Sequence, residues 1–213
     1  ENITTNIENT ELMRIDSVSA SSFNSAVKGS KGDVLIFLDR GIKPISGDWI
    51  QEILGQIFRK NVGAVGAKIL YQNGNIQQCG IIGGINKSFG FAFSNLNEET
   101  QSGLFRSQVL GSFSAVSGVL AVRRELFERL NGFDSENFNK ALFDLDFCLR
   151  IGEIGLQTVF TPYARFESKV TSTIESALLK KDSDEFKLFH EKWKGFIEKD
   201  KFYNPNLSTE SAD

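Results

Sequence analysis

The sequence is poor in the residues that build metal sites and disulfide frameworks. Its 213 residues hold one histidine, His190, two cysteines, one methionine and three prolines. Cys79 and Cys148 each lie in an apolar run, with no C-x-x-C pair and no Cys/His cluster. Zinc ligation is thereby excluded, and both cysteines read as buried thiols. Charge of one sign is lacking too: 24 Lys and Arg face 27 Asp and Glu, for a net charge of −3. No basic stripe marks a nucleic-acid surface, and no charge block marks a tail. No apolar run approaches the roughly 18 residues of a membrane span, and no signal peptide is evident. The expectation is a cytoplasmic chain without a membrane segment, at most peripheral to a membrane.

What is present fits one α/β domain. The chain is 40% hydrophobic and carries 19 phenylalanines. At this length a domain buries roughly 70% of its unfolded surface. Residues 1–16 are polar and expected to be flexible, 17–207 form the domain, and 208–213 a tail. Serines open a short helix over Ser19–Lys28. Val34-Leu35-Ile36-Phe37-Leu38 is a continuous apolar run bounded by turn signals, which predicts a buried, parallel strand ending at Asp39. A helix is expected over Ser46–Lys60, capped by Ser46 or Asp48, with Trp49, Ile50, Ile53, Leu54, Ile57 and Phe58 on one face. Val62–Tyr71 reads as a strand, Asn73-Gly74 as a hairpin turn, and Ile76–Gly83 as the returning strand. Residues 84–105 read as a surface excursion and 109–122 as strand-like. Glu125–Leu130 reads as a short helix, Thr158–Phe160 as a short strand, 168–181 as irregular, and 182–199 as a C-terminal helix. Alternating strands and helices imply a mainly parallel sheet with one hairpin insertion.

The chemistry-bearing stretch is Phe143-Asp144-Leu145-Asp146-Phe147-Cys148-Leu149-Arg150. Residues two apart on a helix point about 200° apart, so the two acids cannot share a face. Asp146 and Arg150, four apart, can pair. Asp144 at a helix start is held ionised by the helix dipole, as a general base requires. The residues alone equally allow purely structural roles: an ion pair for Asp146 and a helix-start role for Asp144.

The order of segments narrows this. Gly32-Asp33-Val34-Leu35-Ile36-Phe37-Leu38-Asp39 is followed by Val62–Tyr71, Gly74-Asn75-Ile76-Gln77-Gln78-Cys79-Gly80, Ser114-Ala115-Val116-Ser117-Gly118, Arg123-Arg124, Gly132-Phe133-Asp134 and then the acid helix. Thr161-Pro162-Tyr163-Ala164 and Tyr203-Asn204-Pro205-Asn206-Leu207 follow. Across residues 17–207 this resembles the acceptor-side half of an inverting, family-two glycosyltransferase of the GT-A fold, in its bacterial polysaccharide, rhamnosyltransferase-like branch. The resemblance implies a GT-A-like α/β domain, incomplete at its N-terminus, because the first nucleotide-binding β-α-β portion has no counterpart in the sequence. It implies transfer of a sugar from a nucleotide sugar to a glycan acceptor in cell-envelope polysaccharide biosynthesis, with other domains of a larger protein as further partners. Asp144 takes the catalytic-base position. Asp39 takes the first acid of Asp-x-Asp, which helps hold the nucleotide and its Mg or Mn ion. Ser117 and Gly118 line the donor and acceptor pocket.

The sequence departs from that family at two positions. The second acid of Asp-x-Asp is Gly41, and the later histidine is absent from Ala164-Arg165-Phe166-Glu167-Ser168. One carboxylate makes a poor site for a divalent ion. Arg40, Lys43 and Arg165 are the cations that stand near the departed groups. His190 sits on an amphipathic helix and reads as packing. Two functions follow: a glycosyltransferase domain that is inactive by itself, or a catalytically inactive GT-A-like module binding a glycan or a protein. A third reading, an unrelated α/β domain with chance matches, requires Asp39 and Asp144 to lie apart; the family reading requires them in one cleft.

Overall fold

The computed structural model describes residues 10–99, 110–170, 173–204 and 206–210. Residues 1–9 of the expected flexible start at 1–16, part of the 84–105 excursion and residues 211–213 of the expected tail lie outside these residues.

A seven-stranded mixed sheet forms the centre, built from β1 (Val34–Leu38), β2 (Ile42–Pro44), β3 (Val62–Tyr71), β4 (Ile76–Gln78), β7 (Gly111–Phe113), β8 (Val119–Arg123) and β9 (Gln157–Ser168). Their order is β1-β8-β3-β9-β2; β4 adds to β3 and β7 adds to β9. A separate ribbon pairs β5 (Ile81–Gly83) with β6 (Phe89–Phe91). The helices are α1 (Ala20–Gly29), α2 (Trp49–Ile57), α3 (Arg124–Arg129), α4 (Phe143–Glu153), α5 (Thr173–Leu178), α6 (Asp184–Lys192) and α7 (Lys194–Glu198).

The mixed α/β architecture agrees with the sequence reading, but the expected parallel character does not. β3 with β9 is the one parallel pairing among the described strands, and the longest. The others are antiparallel. β1 pairs only with β8, so it is an edge strand. Its apolar run has another cause. Leu35 and Phe37 enter the large aromatic core, while Val34, Ile36 and Leu38 pack on the opposite layer with Ile50, Ile53 and Ile57. Burial on both faces produces a continuous apolar run whatever the direction of the neighbouring strand.

Several local expectations need correction. β9 runs to Ser168 rather than stopping near Phe160. Its pairing with β3 jumps from Ala67↔Thr161 to Lys68↔Arg165, which leaves Pro162, Tyr163 and Ala164 as a bulge. Proline has no N–H for the ladder, and the bulge absorbs it. The Ile76–Gly83 segment breaks at Gly80 into β4 and β5, which belong to different sheets. Residues 84–99 are not a surface excursion: Ile85, Phe89, Phe91 and Ala92 are buried. Residues 173–178 are helical, not irregular. The C-terminal helix divides at Trp193, whose indole is drawn into the core. Phe58 leaves the buried face of α2 and is exposed, and Asp48 occupies the cap position without a side-chain cap bond. Ser46 accepts instead from the Arg165 N–H, at 3.0 Å. In the hairpin only Gly74 has positive φ; Asn73 accepts from the Asn75 N–H. Ser19 caps α1 as expected, and both cysteines are buried and free.

Candidate functional site

The site stands where β1 ends and β8 begins. Leu38 is level with Val119, so Asp39 and Gly118 face each other across that pair. The Asp39 N–H donates to the Gly118 carbonyl at 2.8 Å. Gly118 has φ +74°, and a Cβ there would come within 2.9 Å of Ile69, 3.0 Å of Ile42 and 3.1 Å of the Gln78 amide. Glycine is therefore required for both conformation and space. The same turn holds Asp144. The Ser117 hydroxyl donates to Asp144 Oδ2 at 2.5 Å, the Leu145 N–H donates to Oδ1 at 2.9 Å, and the Gly118 N–H also reaches the carboxylate. Two acids 105 positions apart are thus fastened to one two-residue turn.

Asp39 and Asp144 line one small pocket with Gly118, Val18, Leu38 and Leu120. Four phenylalanines close it: Phe23, Phe37, Phe133 and Phe143. Their rings contact one another at 4.8–6.0 Å. Asn24 fastens this wall in both directions, donating to the Phe133 carbonyl and accepting from its N–H.

That apolar wall sets the chemistry of Asp144, which is only 7% exposed. Burial pushes its carboxyl up to about 7; the Ser117 hydroxyl and the Leu145 and Gly118 amides pull it down, while Asp39 pushes it further up. The helix start alone predicted an ionised acid; desolvation outweighs the dipole here. A base that titrates near neutrality is suited to taking a proton from a hydroxyl.

Asp146 points the other way, as the helical spacing requires. It is fully buried. Arg150 donates to it at 2.8 Å, Lys192 at 2.7 Å and the Trp193 indole at 3.0 Å. Arg150 also donates to the Leu130 and Gly132 carbonyls. Asp146 therefore ties α4 to α6 and to the turn after α3.

Gly41 lies just past Asp39, with φ +76°; a Cβ there would stand 2.8 Å from Val170 Cγ2. Its carbonyl accepts from the Lys169 N–H at 3.2 Å. The two residues just past β9 thus close on Gly41. No group of three or more His, Cys, Asp or Glu able to hold a metal occurs among the described residues. Asp39 offers one carboxylate at this end of the strand, and a side chain at Gly41 would need positive φ and a shift of Val170, so a divalent ion would be held by Asp39 together with donor phosphates and not by an acid pair. Of the cations named above, Lys43 pairs with Glu167 at 3.2 Å, Arg165 pairs with Glu98, and Arg40 is exposed. His190 lies outside the pocket, against the Phe186 ring at 4.4 Å and the Ser88 hydroxyl at 2.9 Å.

Sequence reading missed three contributors. Val18 and Phe23 reach the pocket from the α1 end, and Gln78 donates to the Ser117 carbonyl at 2.9 Å. A pair of adjacent glutamines inside an otherwise apolar strand was the available signal.

No protein-family model matches the chain. It is 28% identical over 198 residues to an uncharacterized protein, y4gI, of Sinorhizobium fredii, a match covering 89% of this chain and 22% of that protein. It is 31% identical over 193 residues to the O-antigen biosynthesis protein RfbC of Myxococcus xanthus, covering 89% of this chain and 15% of that protein. The chain therefore spans less than a quarter of the length of either relative. Among solved structures, GalNAc-T7 with UDP, GalNAc and Mn2+ superposes with a TM-score of 0.55 at 18% identity, covering 71% of this chain and 30% of that one. The Pyrobaculum calidifontis mannosyltransferase PcManGT, in complex with GDP-Man and Mn2+, gives 0.46 at 16% identity over 71% of this chain and 36% of that one. No described helix is long and apolar enough to cross a membrane. The chain has the mixed, helix-flanked α/β sheet of the GT-A glycosyltransferase fold.

Proposed function

We propose that this chain is the acceptor-side portion of a glycosyltransferase that moves a sugar from a nucleotide sugar to a glycan acceptor in polysaccharide biosynthesis. Asp144 is the base in a single, inverting displacement. It accepts the proton of an acceptor hydroxyl as that oxygen bonds to the anomeric carbon. The bond from that carbon to the diphosphate breaks, and its electron pair leaves with the nucleoside diphosphate. Ser117 and Gly118 orient the base, and Asp39 faces the donor side. The nucleotide-binding portion is supplied by other parts of the intact protein.

The observation that carries this reading is the meeting of Asp39 and Asp144 at one pocket, fastened to one turn. The experiment is Asp144→Asn in the intact protein, with sugar transfer followed by product analysis. Loss of a general base lowers the rate by about 10²- to 10⁴-fold. An unchanged rate, or a product that retains the donor's anomeric configuration, overturns the proposal.

A second reading, a non-catalytic module that binds a glycan or protein partner, is favoured by Val170 closing over Gly41. Calorimetry of the intact protein with Mn2+ and a panel of nucleoside diphosphates discriminates. Micromolar, metal-dependent binding removes the second reading; glycan binding without nucleotide binding supports it.

A further inference from the structure

β4 has only three residues, all buried, and two are consecutive glutamines. Gln77 is 0% exposed and Gln78 is 2% exposed. Burying an amide is costly unless it is hydrogen-bonded, and here each amide oxygen is buried without a donor. An apolar side chain of similar size would fill the same volume without that cost. The two amides act on different walls, because consecutive strand residues point to opposite faces. Gln77 donates to the Val170 carbonyl at 3.1 Å and to Glu175 at 2.9 Å. Gln78 donates to the Ser117 carbonyl at 2.9 Å and packs directly beneath Gly118.

We infer that Gln78 is a positioning residue for Asp144, acting through the Ser117–Gly118 turn. This rests on the reading of Asp144 as the base and extends it beyond the residues that touch the pocket. The turn has three anchors. The Asp39 N–H holds the Gly118 carbonyl at 2.8 Å, the Val119 N–H holds the Ser117 carbonyl at 2.8 Å, and the Gln78 amide holds that same carbonyl from the core side. The first comes from the backbone just past β1 and the second closes the turn on itself; neither depends on a side chain. Gln78 is the anchor that a side chain supplies. With the Ser117 carbonyl held, its hydroxyl is aimed at Asp144 Oδ2. Without the amide, the turn is free to rotate about the remaining two bonds, and the hydroxyl leaves the carboxylate. Gln77 serves as an internal control: it is equally buried and equally polar, lies on the same short strand, and is directed at Val170 and Glu175.

The test uses Gln78→Met and Gln77→Met, which keep the length of the side chain and remove the amide. The readout is the carboxyl ¹³C resonance of Asp144, assigned with Asp144→Asn and followed from pH 4 to pH 9. Asp39 is the charged group acting on that carboxyl, and both variants leave it in place. Gln78→Met raises the Asp144 midpoint by about half a pH unit or more, because a hydrogen bond to the ionised form is weakened. Gln77→Met leaves the midpoint unchanged even where it lowers the melting temperature to the same extent. In a Ser117→Ala background the effect of Gln78→Met shrinks to what the Gly118 N–H carries, because the connecting hydroxyl is gone. Gln78→Asn keeps an amide but withdraws it by one carbon; it carries the same expectation where Gln78→Met does not fold. Equal shifts in the Gln77 and Gln78 variants, or no shift in the latter, overturn the inference. This readout needs no transfer activity, so its outcome is separable from that of the Asp144→Asn transfer assay.

Discussion

Removing the charge of Asp144 should stabilise the folded chain at alkaline pH, although it disables the proposed base. The folded-state value is about 7, against 3.8 for the unperturbed carboxyl. An acid whose value is raised on folding binds its proton more tightly in the folded state. Its stability contribution is fully present below about pH 4, declines as pH rises, and is lost above about pH 7. At 1.36 kcal/mol per unit, the cost of ionising Asp144 in place is about 4 kcal/mol above that range. Asparagine carries no charge but offers one acceptor oxygen where the carboxylate offers two, a loss of about 1–2 kcal/mol in hydrogen bonding. Asp144→Asn is therefore more stable than the parent by about 2–3 kcal/mol at pH 8. At pH 5 the ionisation cost is about 1.5 kcal/mol, and the two chains agree within about 1 kcal/mol. Urea unfolding of both chains at the two pH values measures this directly. An advantage of Asp144→Asn that does not grow between pH 5 and pH 8 refutes the assignment of a raised carboxyl.

The neighbouring acid behaves oppositely. Asp146→Asn strands Arg150 and Lys192 beside a neutral group and costs about 3–5 kcal/mol, read as a drop in the urea midpoint; a loss under 1 kcal/mol contradicts the hub role. Gly41→Asp restores an acid but forces a side chain into positive φ against Val170, so it destabilises by about 1–3 kcal/mol and yields no Mn2+ binding by calorimetry. Burial pushes both thiols up to about 12, so Cys79 and Cys148 resist a disulfide reagent at pH 8 in the folded chain and react together on unfolding.

Much of the local structure is legible in the sequence. β1 and β3 have the expected bounds, α1 carries its serine cap, and the acid helix begins where the apolar periodicity does. Opposite faces for Asp144 and Asp146 follow from the helical angle, and the Asp146–Arg150 pair from the spacing of four. The failures also have local causes. Pro162 and the alternating charges of Arg165 and Glu167 look like the end of a strand, yet β9 continues because a bulge removes the proline from the ladder. The glycines and asparagines of 84–95 look like surface loop, yet Phe89 packs against Phe186 and Phe189 of the C-terminal helix, Phe91 joins the same core, and Ile85 packs with Ile82 and Ala92.

By itself the sequence determined the order of segments, the two acids that meet at the pocket and the glycine two residues past Asp39. These are properties of residue type and spacing, and they need no neighbours. Tertiary structure alone decided that one turn fastens Asp39 to Asp144, that burial raises the Asp144 carboxyl toward neutrality, and that Val170 stands against Gly41. Each of these depends on groups far apart in the chain being brought within hydrogen-bonding or van der Waals range. Desolvation in particular is a property of what surrounds a carboxylate, and nothing in the eight residues from Phe143 to Arg150 encodes it.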